Sequence, residues 1–237
     1  MLNQWSQYEL FFCGRSSKGE LFTGDLVKHE IPEFIRFSND GAGSRSLPIN
    51  EPFRWISIGL EFTVVVTCSN RVYLFGDYLY DIHSKFLDVN GRLLPVINDG
   101  EQSDRFTVEP IEVECGEQFV CVRDCMDRIW YSGVNDFGQR KSIDTEVSYQ
   151  FHNLDWKKVM KNDHLKITHF KVGGRHVIVC WDNHLVASIG ANYSKQLGIN
   201  SLECSSDFVK VPWNESGDYR VRFLECSSMT SCIITGR

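Results

Sequence analysis

The 237-residue chain carries 31 Asp and Glu against 25 Lys and Arg, a net charge of −6 with histidine neutral. With 42% hydrophobic and 13% aromatic residues it can bury a sizeable core, which excludes intrinsic disorder. The acidic balance, with no run of five like charges, excludes general binding to nucleic-acid phosphates, and no stretch approaches the roughly 18 consecutive apolar residues that span a bilayer.

The opening residues, Met1 to Ser6, lack the basic start and apolar stretch of a secretory signal. The nine cysteines are an odd number, contain no C-x-x-C pair and mostly sit in apolar runs, as Cys121 does. Reduced, core-filling thiols of a nuclear or cytoplasmic protein fit this better than a disulfide framework.

In chain order, Tyr8 to Gly14 reads as a short strand, and Leu26–Phe53 as a long connection with a Gly-Ala-Gly-Ser centre at 41–44. A hairpin follows: Phe62–Thr67, a turn at Cys68 to Asn70, and a return over Arg71–Phe75. Asp77–Pro110 departs from this pattern. A second hairpin joins Phe119–Arg123 to Arg128–Ser132 around Asp124 to Asp127, and a third joins Val177–Trp181 to Leu185–Ile189 around Asp182 and Asn183. Apolar residues occupy both faces of these strands, so the spacing predicts hairpins buried on both sides.

The hairpins are copies of one unit. Gly59 to Gly76, Gly116 to Gly133 and Gly173 to Gly190 each span 17 residues, and Gly76 to Gly116 and Gly133 to Gly173 each span 40. Near the end, Cys226 takes the place of the first glycine, and Arg237 lies eleven residues beyond it. Counted back from Gly14 as a second glycine, Tyr8 holds that same repeat position. Two half-units at opposite ends therefore make one whole unit. The expectation is an all-β propeller of about four blades, a single domain over 1–237, closed by pairing of the N- and C-terminal strands. The rival is an incomplete arc finished by another chain, which an obligate dimer would favour. The glycines Gly14, Gly59, Gly76, Gly116, Gly133, Gly173 and Gly190 read as structural.

After the second glycine, Gly133, Asn135, Gly138 and Gln139 are matched by Gly190, Asn192, Gln196, Leu197 and Gly198, and the third copy opens with Gly173, Gly174, Arg175 and His176. Here the chain resembles the regulator of chromosome condensation repeat, as a short and degenerate member. Phe62, Phe119 and Met229 replace the histidine of that signature, and no copy keeps the tryptophan before its second glycine. The resemblance implies a non-enzymatic interaction module or scaffold, since members bind small GTPases as exchange factors, dock on histones or serve as platforms. They usually have seven blades, against spacing for four here.

No catalytic motif or phosphate loop is present, and no cofactor is implied. Glu114, Glu117 and Asp127 read as strand edges and turns. Cys121 and Cys125 with His164 or His169 have unspecific spacing for zinc, so no metal site is assigned. His176 reads as a packing residue whose polar tip meets a backbone partner. Candidate partner-binding residues are Trp156, Lys157, Lys158 and Lys161, in a segment that could form a helical turn capped by Asn153, together with Tyr78 and Tyr80. The alternative at the first of these places is that Trp156 and Val159 anchor the segment on its own blade. The leading function is a scaffold for a basic, histone-like protein partner, favoured by the acidic balance. The alternative is a guanine nucleotide exchange factor that wedges Leu26–Phe53 or Asp77–Pro110 into a small GTPase, and a third is capture of a partner strand at an open edge.

Overall fold

The computed structural model describes residues 10–16, 29–37, 51–77, 87–94, 96–98, 101–135, 148–154, 156, 164–213 and 217–236. The described residues form strands, turns and extended connections, and none of them belongs to a helix long and apolar enough to cross a membrane. The chain divides into two compact units, Met1–Glu109 and Pro110–Arg237.

In the first unit β1 (Leu10–Ser16) pairs antiparallel with β2 (His29–Phe37). Next, β3 (Phe53–Ile58), β4 (Phe62–Thr67), β5 (Val72–Asp77) and β6 (Leu87–Leu93) form a four-stranded antiparallel sheet in chain order. A short hairpin, β7 (Val96–Asn98) with β8 (Glu101–Ser103), is an addition to the repeat inside the divergent Asp77–Pro110 stretch.

The second unit repeats the plan. β9 (Pro110–Cys115), β10 (Phe119–Asp124), β11 (Ile129–Gly133) and β12 (Ser148–Leu154) pair in sequence. So do β13 (Ile167–Val172), β14 (His176–Trp181), β15 (Val186–Gly190) and β16 (Ser205–Lys210). Last come β17 (Arg220–Cys226) and β18 (Ser231–Gly236), which form a two-stranded sheet. Each predicted hairpin is thus the second and third strand of a sheet, flanked by an outer strand from either linker. Every residue of β4, β11, β14 and β15 is buried, as the two-sided apolar pattern requires. The core between the two complete sheets of this unit holds Phe119, Tyr131, Phe170 and Trp181. A second cluster joins Ile178, Cys180 and Val186 to Val221 and Leu224 of β17.

The repeat has a physical cause at three points. Gly59, Gly116 and Gly173 donate N–H to the carbonyls of Phe62, Phe119 and His176, at 2.9, 2.8 and 2.8 Å. That tight turn swings the ring at the third following residue onto the glycine, so a Cβ at Gly116 would stand 2.1 Å from Phe119 Cε1. Eleven residues after each first glycine, Asn70, Asp127 and His184 take left-handed φ values of 65°, 58° and 62°, a region Asn, Asp and His tolerate better than most residues. At the second glycine the register slips by two residues, between Phe12 and Gly14, Leu74 and Gly76, Tyr131 and Gly133, and Ser188 and Gly190. These are bulges with φ between 98° and 122° at the glycine. At Gly133 a Cβ would also meet the Gln118 carbonyl oxygen at 2.5 Å.

The fourth copy corrects the sequence reading by one residue. Ser227 N–H bonds the Thr230 carbonyl at 2.9 Å, and Cys226 pairs with Ser231 as Cys115 pairs with Val120. Ser227, not Cys226, therefore occupies the first-glycine position, and Thr230 rather than Met229 replaces the histidine. Met229 is 61% exposed, where Phe62 and Phe119 are buried. The misalignment arose because neither a glycine nor a ring marks that copy. Pairing of β1 with β18, which would close the circle, would join the two units and stays an expectation from the repeat spacing.

Candidate interaction surface

The site with most built geometry lies in the second unit, where the turns after the first-glycine positions come together. Glu117 N–H bonds the Gly174 carbonyl at 2.8 Å, and Gly174 N–H faces the carbonyls of Ser227 and Ser228 at 3.2 and 3.1 Å. The Glu117 carboxylate accepts from Ser228 Oγ at 2.6 Å and from Arg175 Nε at 2.8 Å. A Cβ on Gly174 would stand 2.7 Å from Glu117 Oε1, which accounts for the glycine doublet of that copy. Partial burial alone would raise the Glu117 pKa, but the bonds from Ser228 and Arg175 outweigh it and hold the carboxyl below its usual range.

Beneath this surface His176 is fully buried, with Nε2 2.8 Å from Ser231 Oγ. Ser231 donates its own proton to the Gln196 carbonyl at 2.8 Å, so it accepts from His176, which carries its proton on Nε2. Burial lowers the His176 pKa to about 4 and keeps the ring neutral. The partner of His176 is thus a side-chain hydroxyl, where the sequence reading had a backbone group, and its Nδ1 has no partner among the described residues. The turn beside it is locked by Asn192, which donates to the Ser201 carbonyl at 2.7 Å and accepts from Leu197 N–H at 2.9 Å. From this rigid base Tyr193 and Met229 project at 66% and 61% exposure.

The outer strands β9, β13 and β17 carry a second feature. Lys171 on β13 bonds Glu114 on β9 and lies 4.0 Å from Glu112. Burial lowers the Lys171 pKa, yet Glu114, Glu112 and Glu225 together raise it above its usual value. Burial, with Glu112 and Glu225 as like charges, raises Glu114. Glu112 also binds Arg123 at 3.1 Å, while the exposed Glu225 has no ion-pair partner among the described residues. Glu114 and Glu112 thus stand within 4.0 Å of one ammonium group, and Glu225 adds a longer-range attraction.

Of the predicted contact residues, Trp156 is 2% exposed, donates Nε1–H to the Asp127 carbonyl at 2.8 Å and packs against Trp181 at 5.3 Å. Its side chain is therefore part of the core and not a face open to a partner. Asn153 stands opposite Trp130 in strand β12, and the residues after that strand, where the sequence predicts a helical turn, lie, apart from Trp156, outside the described residues. Lys157, Lys158, Lys161, Tyr78 and Tyr80 lie outside the described residues. Cys121 is buried in the core and Cys125 is exposed on a turn, and no cluster of metal-ligating side chains occurs among the described residues. Sequence reasoning filed Glu114 and Glu117 as strand edges; only the repeat register, which brings equivalent positions of successive sheets side by side, could have paired them with Lys171 and Ser228.

Successive antiparallel sheets joined in this way define a β-propeller, with a fold like that of RCC1. Solved structures of that type match nearly the whole chain. Human WBSCR16 is 14% identical with a TM-score of 0.72, over 97% of this chain and 54% of that one. Saccharomyces cerevisiae Prp20p, whose binding properties to Gsp1p and histones were described with its structure, is 12% identical with a TM-score of 0.62, over 96% and 51%. Yeast RCC1 (Prp20) bound to Kap60 gives 12% and 0.61, over 89% and 44%. The chain spans about half the length of these structures. No protein-family model and no curated protein matches the sequence.

Proposed function

We propose that the chain is a non-enzymatic protein-interaction module of the nucleus or cytoplasm that binds a basic segment of a partner protein. The observation that carries this reading is the pair Glu112 and Glu114 at Lys171 together with the exposed Glu225 of β17, an excess of carboxylates that attracts Lys and Arg side chains. The likeness to Prp20p, studied for binding to histones, supports the same class of partner. The test is titration with a lysine-rich histone-tail peptide by calorimetry at two salt concentrations. Binding that weakens with salt, and weakens further in Glu225→Lys, supports the reading. Absence of binding at low salt, or binding indifferent to Glu225→Lys, overturns it.

The β7–β8 hairpin favours a second reading. It is an insertion into the repeat within Asp77–Pro110, as a wedge of a nucleotide exchange factor would be, and Gsp1p is named beside Prp20p. A fluorescent-GDP release assay separates the two: stimulation by catalytic amounts of the chain would replace the scaffold with the exchange factor.

A further inference from the structure

The third copy differs from the first two in what covers its hairpin turn. Asn70, Asp127 and His184 hold the same left-handed position in the three turns. In the first copy Phe106, 2% exposed, lies on that turn: its N–H bonds the Asn70 carbonyl at 3.0 Å, and Asn70 Nδ2 donates to the Phe106 carbonyl at 3.5 Å. In the second copy the cover is Trp156, whose Nε1–H bonds the Asp127 carbonyl, while the Asp127 carboxylate accepts from Arg123 Nη1 and Ile167 N–H.

Trp213 is the counterpart of Trp156. Each donates its backbone N–H two residues back, Trp156 to the Leu154 carbonyl at 3.0 Å and Trp213 to the Val211 carbonyl at 3.1 Å. Leu154 stands opposite Ile129, and Val211 N–H bonds the Val186 carbonyl at 2.9 Å; Ile129 and Val186 are both the thirteenth residue after their first glycine. Yet Trp213 is only half-buried, against the cluster of Val186, Val211 and Leu224, and no bond from it to the His184 carbonyl occurs among the described residues. Trp213 and the turn instead line a cavity of about 270 Å³, together with Asn183, Leu185, Lys210 and Pro212. His184 Nδ1 is buried here without a hydrogen-bond partner among the described residues, where Asn70 and Asp127 have theirs. The place that Phe106 and Trp156 fill in the other copies is an open cavity in this one.

The lining selects the ligand. Leu185, Pro212 and Trp213 supply apolar and aromatic surface, while the exposed Lys210 has no ion-pair partner among the described residues, and the described lining holds no carboxylate. One ammonium group balances one negative charge, which favours a carboxylate over a phosphate ester that carries nearly two. The His184 carbonyl is placed to accept a ring donor, as the Asp127 carbonyl accepts the indole N–H of Trp156.

We propose that this cavity binds a small aromatic carboxylate bearing a ring N–H or O–H, of the indole or phenol type, with its ring against Trp213 and its carboxylate on Lys210. The site lies wholly within the second unit and is independent of the basic-peptide surface at Glu112, Glu114 and Glu225.

The test titrates the ¹⁵N-labelled 237-residue chain with indole-3-acetate, and with indole-3-acetamide as its neutral analogue. The acid shifts the amide signals of Leu185, Val211 and Gly217 and the indole N–H of Trp213, and binds more than about tenfold tighter than the amide. Lys210→Met, at an exposed position, keeps the native spectrum and abolishes the preference for the acid. Equal affinity for acid and amide in the native chain, an undiminished preference in Lys210→Met, shifts confined to other residues, or no binding at millimolar acid would each overturn the proposal.

Discussion

Gly133→Ala is the sharpest probe of the repeat register. Gly133 has φ of +122°, and a Cβ there would lie 2.5 Å from the Gln118 carbonyl oxygen and 2.6 Å from Phe119 Cα, both backbone atoms that no rotamer change can move aside. Holding an L-residue at such an angle costs about 1–3 kcal/mol, and forcing an overpacked contact adds a further ~1–3 kcal/mol. Gly217 in the same unit has φ of +74° with nothing within 4 Å of a Cβ, so Gly217→Ala feels the first cost alone, about 1–2 kcal/mol. The expected difference is about 2 kcal/mol. For a domain of this size it lowers the melting temperature by roughly 4–8 °C more in Gly133→Ala than in Gly217→Ala. Urea unfolding followed by fluorescence of the buried Trp130 and Trp181 reads both variants. Equal losses in the two, or a loss below about 1 kcal/mol at Gly133, would refute the assigned bulge.

His176 makes stability depend on acid. Its folded pKa of about 4 lies below the ordinary 6.5, so the unfolded chain binds the extra proton. Its contribution is fully present above pH 6.5 and declines as pH falls from there to 4, by roughly 3 kcal/mol in all; His176→Phe, which copies Phe62 and Phe119, should flatten that slope in denaturant titrations. Trp156→Ala should cost about 3–5 kcal/mol in unfolding and leave peptide affinity per folded molecule unchanged, because the side chain is core. Tyr193→Ala and Met229→Ala should each shift stability by less than about 0.5 kcal/mol, so a loss of partner binding in pull-downs would locate the contact surface. Asp124→Ala should cost about 2–4 kcal/mol: the buried carboxylate accepts Met126 and Arg128 N–H, Arg128 Nε and Trp130 Nε1, and its removal strands those donors.

What the chain discloses by reading alone is its period. The 17-residue glycine spacing and the β-branched runs located β4 to the residue and β10 and β14 to within one, because a tight turn that seats a ring on a glycine leaves both residues visible in the sequence. Where those two markers are absent the reading slipped: Ser227 and Thr230 keep the backbone bond but none of the composition, so Cys226 and Met229 took their places. The contact surface was less legible for a different reason. Trp156 beside lysines has the composition of a binding hot spot, and only its depth just after β12, tilted against Trp181, decides otherwise. Glu117, Arg175 and Ser228 lie in three different sheets, and their meeting depends on how successive sheets pack, which no local pattern encodes.

The most direct test is the proton chemical shift of the first glycines. If each copy seats the ring of the third following residue on its glycine, the Hα resonances of Gly59 and Gly116 lie well upfield of ordinary glycine values. Phe62→Leu and Phe119→Leu each return only their own glycine to normal, while the Ser227 Hα, opposite Thr230, shows no such displacement. Ordinary shifts at Gly59 and Gly116 in the folded chain would contradict the shared turn, and with it the propeller register.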